Sequence, residues 1–111
     1  MMVAKRKAGI LKQLKQLKKF KSKISPKYNP EKVIFFGSRV SGTLNKDSDV
    51  DLIVVSRNFN DLSVLKRSPD LYLEWDLDYP VDFLCCTPEE FNKLKDKVTI
   101  VSEAIKSGIE V

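Results

Sequence analysis

The 111-residue chain contains no histidine. That absence excludes a Ser-His-Asp triad, a Cys-His pair and any His-ligated zinc site built from this chain alone. No run of eighteen apolar residues occurs, so no segment reads as a membrane-spanning helix. The opening Met1-Met2-Val3-Ala4-Lys5-Arg6-Lys7 leads into further lysines instead of an apolar stretch, which argues against a secretory signal. Cysteine is scarce: Cys85 and Cys86 are adjacent. Neighbours on a strand point to opposite faces, so a disulfide between them would be strained, and they lack the spacing of zinc ligands. Both thiols therefore read as small apolar strand residues in a reducing, cytoplasmic setting. In residues 1–24 the one aromatic is Phe20, a poor provision for stacking on bases.

What is present suffices for a core. Hydrophobic residues make up 42% of the chain, and its length fits one domain spanning 1–111. The charge is unevenly divided. Residues 1–32 hold eleven Lys or Arg against Glu31 alone, a balance of +10, while residues 33–111 carry −5. The net +5 thus hides a basic segment and an acidic body. Within the basic segment Ile10, Leu14, Leu17 and Ile24 follow helical spacing, with Leu11 and Phe20 beside them. The spacing predicts a basic amphipathic helix over 1–26, ended at Ser25-Pro26 because a residue before proline avoids helical geometry. Such a helix could dock on the acidic body with its lysines in solvent. It could also serve nucleic acid, an anionic surface or an acidic partner.

Beyond Pro30 short apolar runs alternate with turns. Strands are predicted at Lys32–Phe36, Val50–Val55 and Pro80–Cys86, the second central because it is apolar on both faces beyond Asp51. Asp61 to Trp75 reads as helix carrying Leu62, Leu65, Leu71 and Leu73, with Pro69 marking a start or a break. Thr87-Pro88-Glu89-Glu90 combines an N-cap, a proline at the first helical position and a capping box. A last helix runs from Ile100 to Ile105 and stops at Ser107-Gly108. The order predicts an α+β fold (an α/β sandwich), a small mixed β-sheet packed by helices. Tyr72, Trp75 and Tyr79 lie close in sequence and are expected at an interface.

The chemistry concentrates between the first two strands. Gly37-Ser38 follows a buried strand, where a glycine admits an anion to the backbone and a serine adds a donor. After ten intervening residues come Asp49 and Asp51, two apart at a strand start and so on one face. Two carboxylates on an apolar strand are costly unless a cation offsets their repulsion, and oxygen-only ligands suit Mg²⁺ or Mn²⁺. Asp82 interrupts the equally apolar third strand and completes a trio if the two strands are neighbours. Three carboxylates beside a phosphate-binding turn fit metal-assisted phosphoryl or nucleotidyl transfer. Asp47, Asp76 and Asp78 precede the strands and are set aside as decoys.

Gly37-Ser38, ten residues, Asp49-Val50-Asp51 and a later-strand Asp82 resemble the signature of the DNA polymerase β-like nucleotidyltransferase superfamily. The short length is similar to its minimal nucleotidyltransferase branch. The resemblance covers about residues 30–111 and implies a catalytic core there with a polymerase-β-palm-like fold, leaving the basic helix less typical. It implies that Gly37 and Ser38 hold a nucleotide's triphosphate. It further implies that Asp49 and Asp51 bind two divalent metals, Mg²⁺ or Mn²⁺. Asp82 would then bind one metal and help deprotonate the acceptor. Arg39 would either neutralise phosphate or make a structural ion pair. The implied reaction is transfer of AMP from ATP, or of another nucleoside monophosphate, to a hydroxyl. Minimal members often pair with a helical HEPN-type ribonuclease toxin and act as antitoxins, some by modifying a tyrosine of that partner. Two other readings stay open: a binding module that neutralises its partner by contact, and a nucleic-acid binder using the N-terminal lysines.

Overall fold

The computed structural model describes residues 2–37, 50–97 and 100–111, with side chains from residue 11 onward apart from 100, 101 and 103. Helix α1 (Met2–Tyr28) leads into strand β1 (Lys32–Phe36). After strand β2 (Val50–Val55) come a 3₁₀ turn (Arg57–Phe59) and two short helices, α2 (Val64–Arg67) and α3 (Pro69–Glu74). Strand β3 (Val81–Cys86), helices α4 (Pro88–Leu94) and α5 (Ile100–Ser107) and the two-residue strand β4 (Ile109–Glu110) complete the order. The described strands form one mixed sheet in the order β3-β2-β1-β4. β1 is antiparallel to β2 and β4, and β2 is parallel to β3. The expected α+β class and the central place of β2 are both seen.

Alternation along the strands sorts the core into two layers. One face carries Val33, Phe35, Val50, Leu52 and Val54 and is covered by Leu17, Phe20, Ile24 and Tyr28 of α1 together with Leu71 of α3. The other carries Ile34, Ile53, Val55 and Cys86, packed by Phe91 of α4 and Ala104 of α5. The capping box at the start of α4 forms as read: Thr87 Oγ1 accepts from the Glu90 amide, and the Thr87 amide donates to Glu90 Oε1 at 2.8 Å. That backbone hydrogen bond, helped by Arg67, holds the Glu90 carboxyl below its ordinary range. Cys85 and Cys86 are free and buried. Burial pushes the Cys85 thiol up to about 12, so it stays protonated and apolar in character.

The basic helix departs from expectation in two ways. It does not stop at Ser25-Pro26 but continues to Tyr28. The carbonyl that Pro26 cannot bond belongs to Ser22, an exposed residue, so the helix loses little there. Tyr28 packs on Phe59 with ring centroids 5.6 Å apart, and its carbonyl accepts from the Ser56 hydroxyl. Burial of this last turn outweighs the proline, and Asn29, at φ 39°, ends the helix in the left-handed region. Secondly, Leu11 is 58% exposed instead of joining the buried stripe. The docking of the helix on the acidic body is seen as expected, and it buries Leu17, Phe20 and Ile24 to at most 3% exposure. Its C-terminal half also meets the acidic body by charge: Lys23 lies 3.6 Å from both Glu74 and Asp76, and Lys27 lies 2.8 Å from Asp70.

The segment from Asp61 to Trp75 is helical in part. Pro69 takes the first position of α3, the start or break expected there, and separates it from α2. Leu71 is buried, but Leu65 and Leu73 face solvent, 88% and 83% exposed. Trp75 and Tyr72 form no free stacking surface. Trp75 meets Phe20 edge-on at 5.1 Å and Phe83 at 5.9 Å, and its Nε1 donates to the Tyr79 carbonyl at 2.7 Å. Tyr72 meets Phe83 at 4.9 Å, and its hydroxyl accepts from the Phe83 amide at 3.4 Å. Arg67 donates to the Cys85 carbonyl at 3.3 Å and to Glu90 at 2.6 Å. Together these two side chains cover the outer edge of β3. Strand β4 escaped the sequence reading, because two residues carry no periodicity.

If α1 is integral, truncating its central aromatic must be severe. Phe20→Ala is expected to cost about 3–5 kcal/mol, the range for an emptied aromatic site in a packed core. Urea unfolding measures this; a loss below about 1 kcal/mol, as for an exposed residue, would show the helix to be a detachable arm.

Candidate functional site

Three elements end at one level of the sheet. β1 runs toward it and finishes at Phe36; β2 and β3 begin there. In the antiparallel pair Phe36 stands opposite Asp51, and in the parallel pair Asp51 stands opposite Asp82. Partners in register share a face, and neighbouring strands lie about 4.8 Å apart, so the two carboxylates project side by side from adjacent backbones. They emerge on the α4–α5 face, in line with Ile53 and Leu84 respectively. Phe83, between Asp82 and Leu84, points the other way into the α1 layer.

The two carboxylates are differently placed. Asp51 is half-buried and Asp82 is exposed. Among the described residues no Lys or Arg forms an ion pair with Asp82. Two like charges about 5 Å apart repel by roughly 1–3 kcal/mol at the dielectric of a protein surface. Parallel strand pairing holds them there in spite of that repulsion. Phe36, Asp51, Asp82, Phe83 and Leu84 line an open cleft of about 280 Å³. Larger cavities of about 360 and 310 Å³ lie along α4, lined by Arg67 and Leu94 in one and by Lys32 and Ile105 in the other. Neither brings acidic side chains together from neighbouring strands, so the chemistry assigns the site to the smaller cleft.

Gly37 closes the arrangement. Its φ of +93° lies where side chains are disfavoured. A β-carbon built there would stand 3.1 Å from Asp51 Cγ and collide with Oδ2. The bare glycine backbone therefore sits directly against the Asp51 carboxylate. Of the six residues singled out from sequence, the structure brings together Gly37, Asp51 and Asp82. Ser38, Arg39 and Asp49 lie outside the described residues, as does the decoy Asp47. Asp76 is engaged by Lys23, in keeping with its exclusion. Phe36 and Leu84 were not singled out as lining residues; the signal for each was its place beside Gly37 or two residues beyond Asp82. Oxygen donors on facing strands form a set that a hard divalent cation accepts.

The contact at Gly37 is open to test. Gly37→Ala combines an unfavourable φ with a collision and is expected to destabilise the fold by about 1–3 kcal/mol. Urea unfolding of the variant checks it; unchanged stability would mean that backbone and carboxylate are not in contact.

Comparison with known proteins agrees with this geometry. The nucleotidyltransferase domain family matches residues 14–107. A Haemophilus influenzae protein named "Probable protein adenylyltransferase MntA" is 35% identical over 77 residues, covering 68% of each chain. A crystal structure from Sulfolobus solfataricus, also described as a nucleotidyltransferase, superposes with a TM-score of 0.60 at 26% identity, covering 79% of this chain and 78% of the other. The match starts inside α1, so this helix's packed half belongs to the family domain and the resemblance reaches further toward the N-terminus than residue 30. The chain is thus a member of the nucleotidyltransferase domain family, a nucleotidyltransferase whose family substrate is a nucleoside triphosphate.

Proposed function

We propose that this protein transfers AMP from ATP to a protein hydroxyl, a tyrosine of a HEPN-type helical toxin partner, and so acts as a cytoplasmic antitoxin. The observation that carries the transfer chemistry is the in-register pair Asp51 and Asp82 against the bare backbone of Gly37. The protein acceptor is supported by the likeness to the Haemophilus influenzae protein named an adenylyltransferase of proteins. The HEPN-type partner rests on the resemblance to minimal nucleotidyltransferases.

In this reading the acceptor oxygen forms a bond to the α-phosphorus of ATP, the α–β bridging P–O bond breaks, and pyrophosphate leaves. Gly37 and Ser38 would present backbone amides and a hydroxyl to the triphosphate, and Arg39 would balance phosphate charge. Asp49, Asp51 and Asp82 would hold divalent cations, Mg²⁺ or Mn²⁺. When bound, such ions neutralise charge on the attacking and leaving oxygens. Asp82, exposed at the strand start, would take the acceptor's proton as its oxygen attacks. No histidine is required, which agrees with a chain that has none.

The test is incubation with α-labelled ATP, Mg²⁺ and a purified HEPN-type partner, followed by acid precipitation and mass spectrometry of the acceptor. Label on a partner tyrosine and release of pyrophosphate are expected, both abolished by chelation. Asp51→Asn and Asp82→Asn should each lower transfer at least about 100-fold, as for loss of a charge-stabilising group. Variants that no longer transfer but still bind and inhibit the partner would favour neutralisation by contact.

A further inference from the structure

α1 is longer than the sheet it covers. Its 27 residues span about 40 Å, whereas the six residues of β2 span about 20 Å. Its direction along the sheet is fixed by packing. Tyr28 and Ile24 cluster with Val54 and Cys85 near the far ends of β2 and β3. Leu17, and Leu14 with it, cluster with Val50 and Val81 at the ends that carry Asp51 and Asp82. The helix therefore enters over the carboxylate end of the sheet, and residues 2–12, about 16 Å of helix, continue beyond it. Leu11 and Lys12 are already exposed.

This overhang precedes the stretch that the family match covers. The family match begins at residue 14, and residues 2–12 carry Lys5, Arg6, Lys7 and Lys12 with no acidic residue. Farther along, Lys15, Lys18 and Lys19 are exposed as well. Lys12, Lys15 and Lys19, at positions i, i+3 and i+7, form one row on the helix surface. The acidic body pairs with Lys23, Lys27 and Lys32, yet none of Lys12, Lys15, Lys18 and Lys19 makes an ion pair among the described residues. Among the described residues the basic charge is thus paired at the far end of α1 and unpaired at the site end.

We propose that this lysine row at the site end of α1 is a docking surface for the acceptor protein, selecting targets whose modified hydroxyl lies beside a cluster of Asp and Glu. The inference deepens the transfer reading above and rests on it for the identity of the site. Charge complementarity specifies the partner. A nucleic acid fits less well, because Phe20, the sole aromatic of the helix before Tyr28, is buried against Trp75 and Phe83 and offers no stacking face. A solvated lysine row at the carboxylate end of the sheet steers association over a Debye length, about 8–10 Å.

The full-length chain is tested with two fluorescein-labelled peptides of equal length, each with one tyrosine, flanked by glutamates in one and by glutamines in the other. The glutamate peptide is expected to bind at least about tenfold tighter at 50 mM salt and to lose most of that advantage by 300 mM. The triple variant Lys12→Gln, Lys15→Gln, Lys19→Gln should abolish the preference while leaving circular dichroism unchanged and ATP affinity within twofold. The kcat/KM for transfer from ATP should show the same preference and the same loss. Equal binding of the two peptides, or a triple variant that keeps the preference, overturns the inference. So does tighter binding of a single-stranded RNA of equal charge. If the binding preference and its loss are seen but neither peptide is labelled, the docking surface stands and the transfer reading fails. Labelling of both peptides with no preference has the opposite meaning.

Discussion

The parallel pairing of β2 with β3 is the constraint on which the rest depends. Side chains on a strand alternate with a period of two, so a slip of one residue would carry Asp82 from the open face into the layer under α1. What prevents the slip is Phe83. It is held among Phe20, Tyr72 and Trp75 at centroid distances of 4.9 to 5.9 Å, and no acidic side chain could replace it there without a large desolvation cost. The aromatic cluster is therefore more than filler. By fixing which face Phe83 occupies, it fixes the face of Asp82 and the opposition of Asp82 to Asp51. The layer that carries the two carboxylates is set by packing on the opposite side of the sheet.

Legibility in the sequence followed the strength of local rules. The three longer strands, the Thr87 cap and the central place of β2 could be read because alternation, continuous apolar runs and capping chemistry are local signals. The opposition of Asp51 and Asp82 was conditional on strand adjacency, which no local pattern encodes. The helix stop at Pro26 was misread because a rule about backbone preference met a tertiary contact, that of Tyr28 with Phe59 and Ser56, worth more than the preference. Trp75 and Tyr72 also pack within the chain, where each makes a hydrogen bond to the backbone, contacts that composition does not reveal. Leu65 and Leu73 face solvent on two short helices that meet at Pro69, the break the sequence marks.

The split between a basic helix and an acidic body has a physical consequence for how the chain holds together. Along the second half of α1 the lysines face carboxylates of α3 and Asp76, two residues beyond it, and Lys21 donates to the Val111 carbonyl at 2.9 Å. Exposed pairs of this kind contribute little individually, on the order of 0–1 kcal/mol. The apolar contacts of Leu17, Phe20 and Ile24 bind the helix, and the charges orient it along the sheet.

The covered margin of β3 bears on assembly. An uncovered outer strand invites a second polypeptide to add to the sheet through its main chain. Here the outward amide of Phe83 and the outward carbonyl of Cys85 are already taken by Tyr72 and Arg67. At the opposite margin the terminal strand is two residues long, too short to template a lasting ladder. Among the described residues both margins of the sheet thus disfavour growth by strand addition, which leaves helices and loops as the better surfaces for assembly.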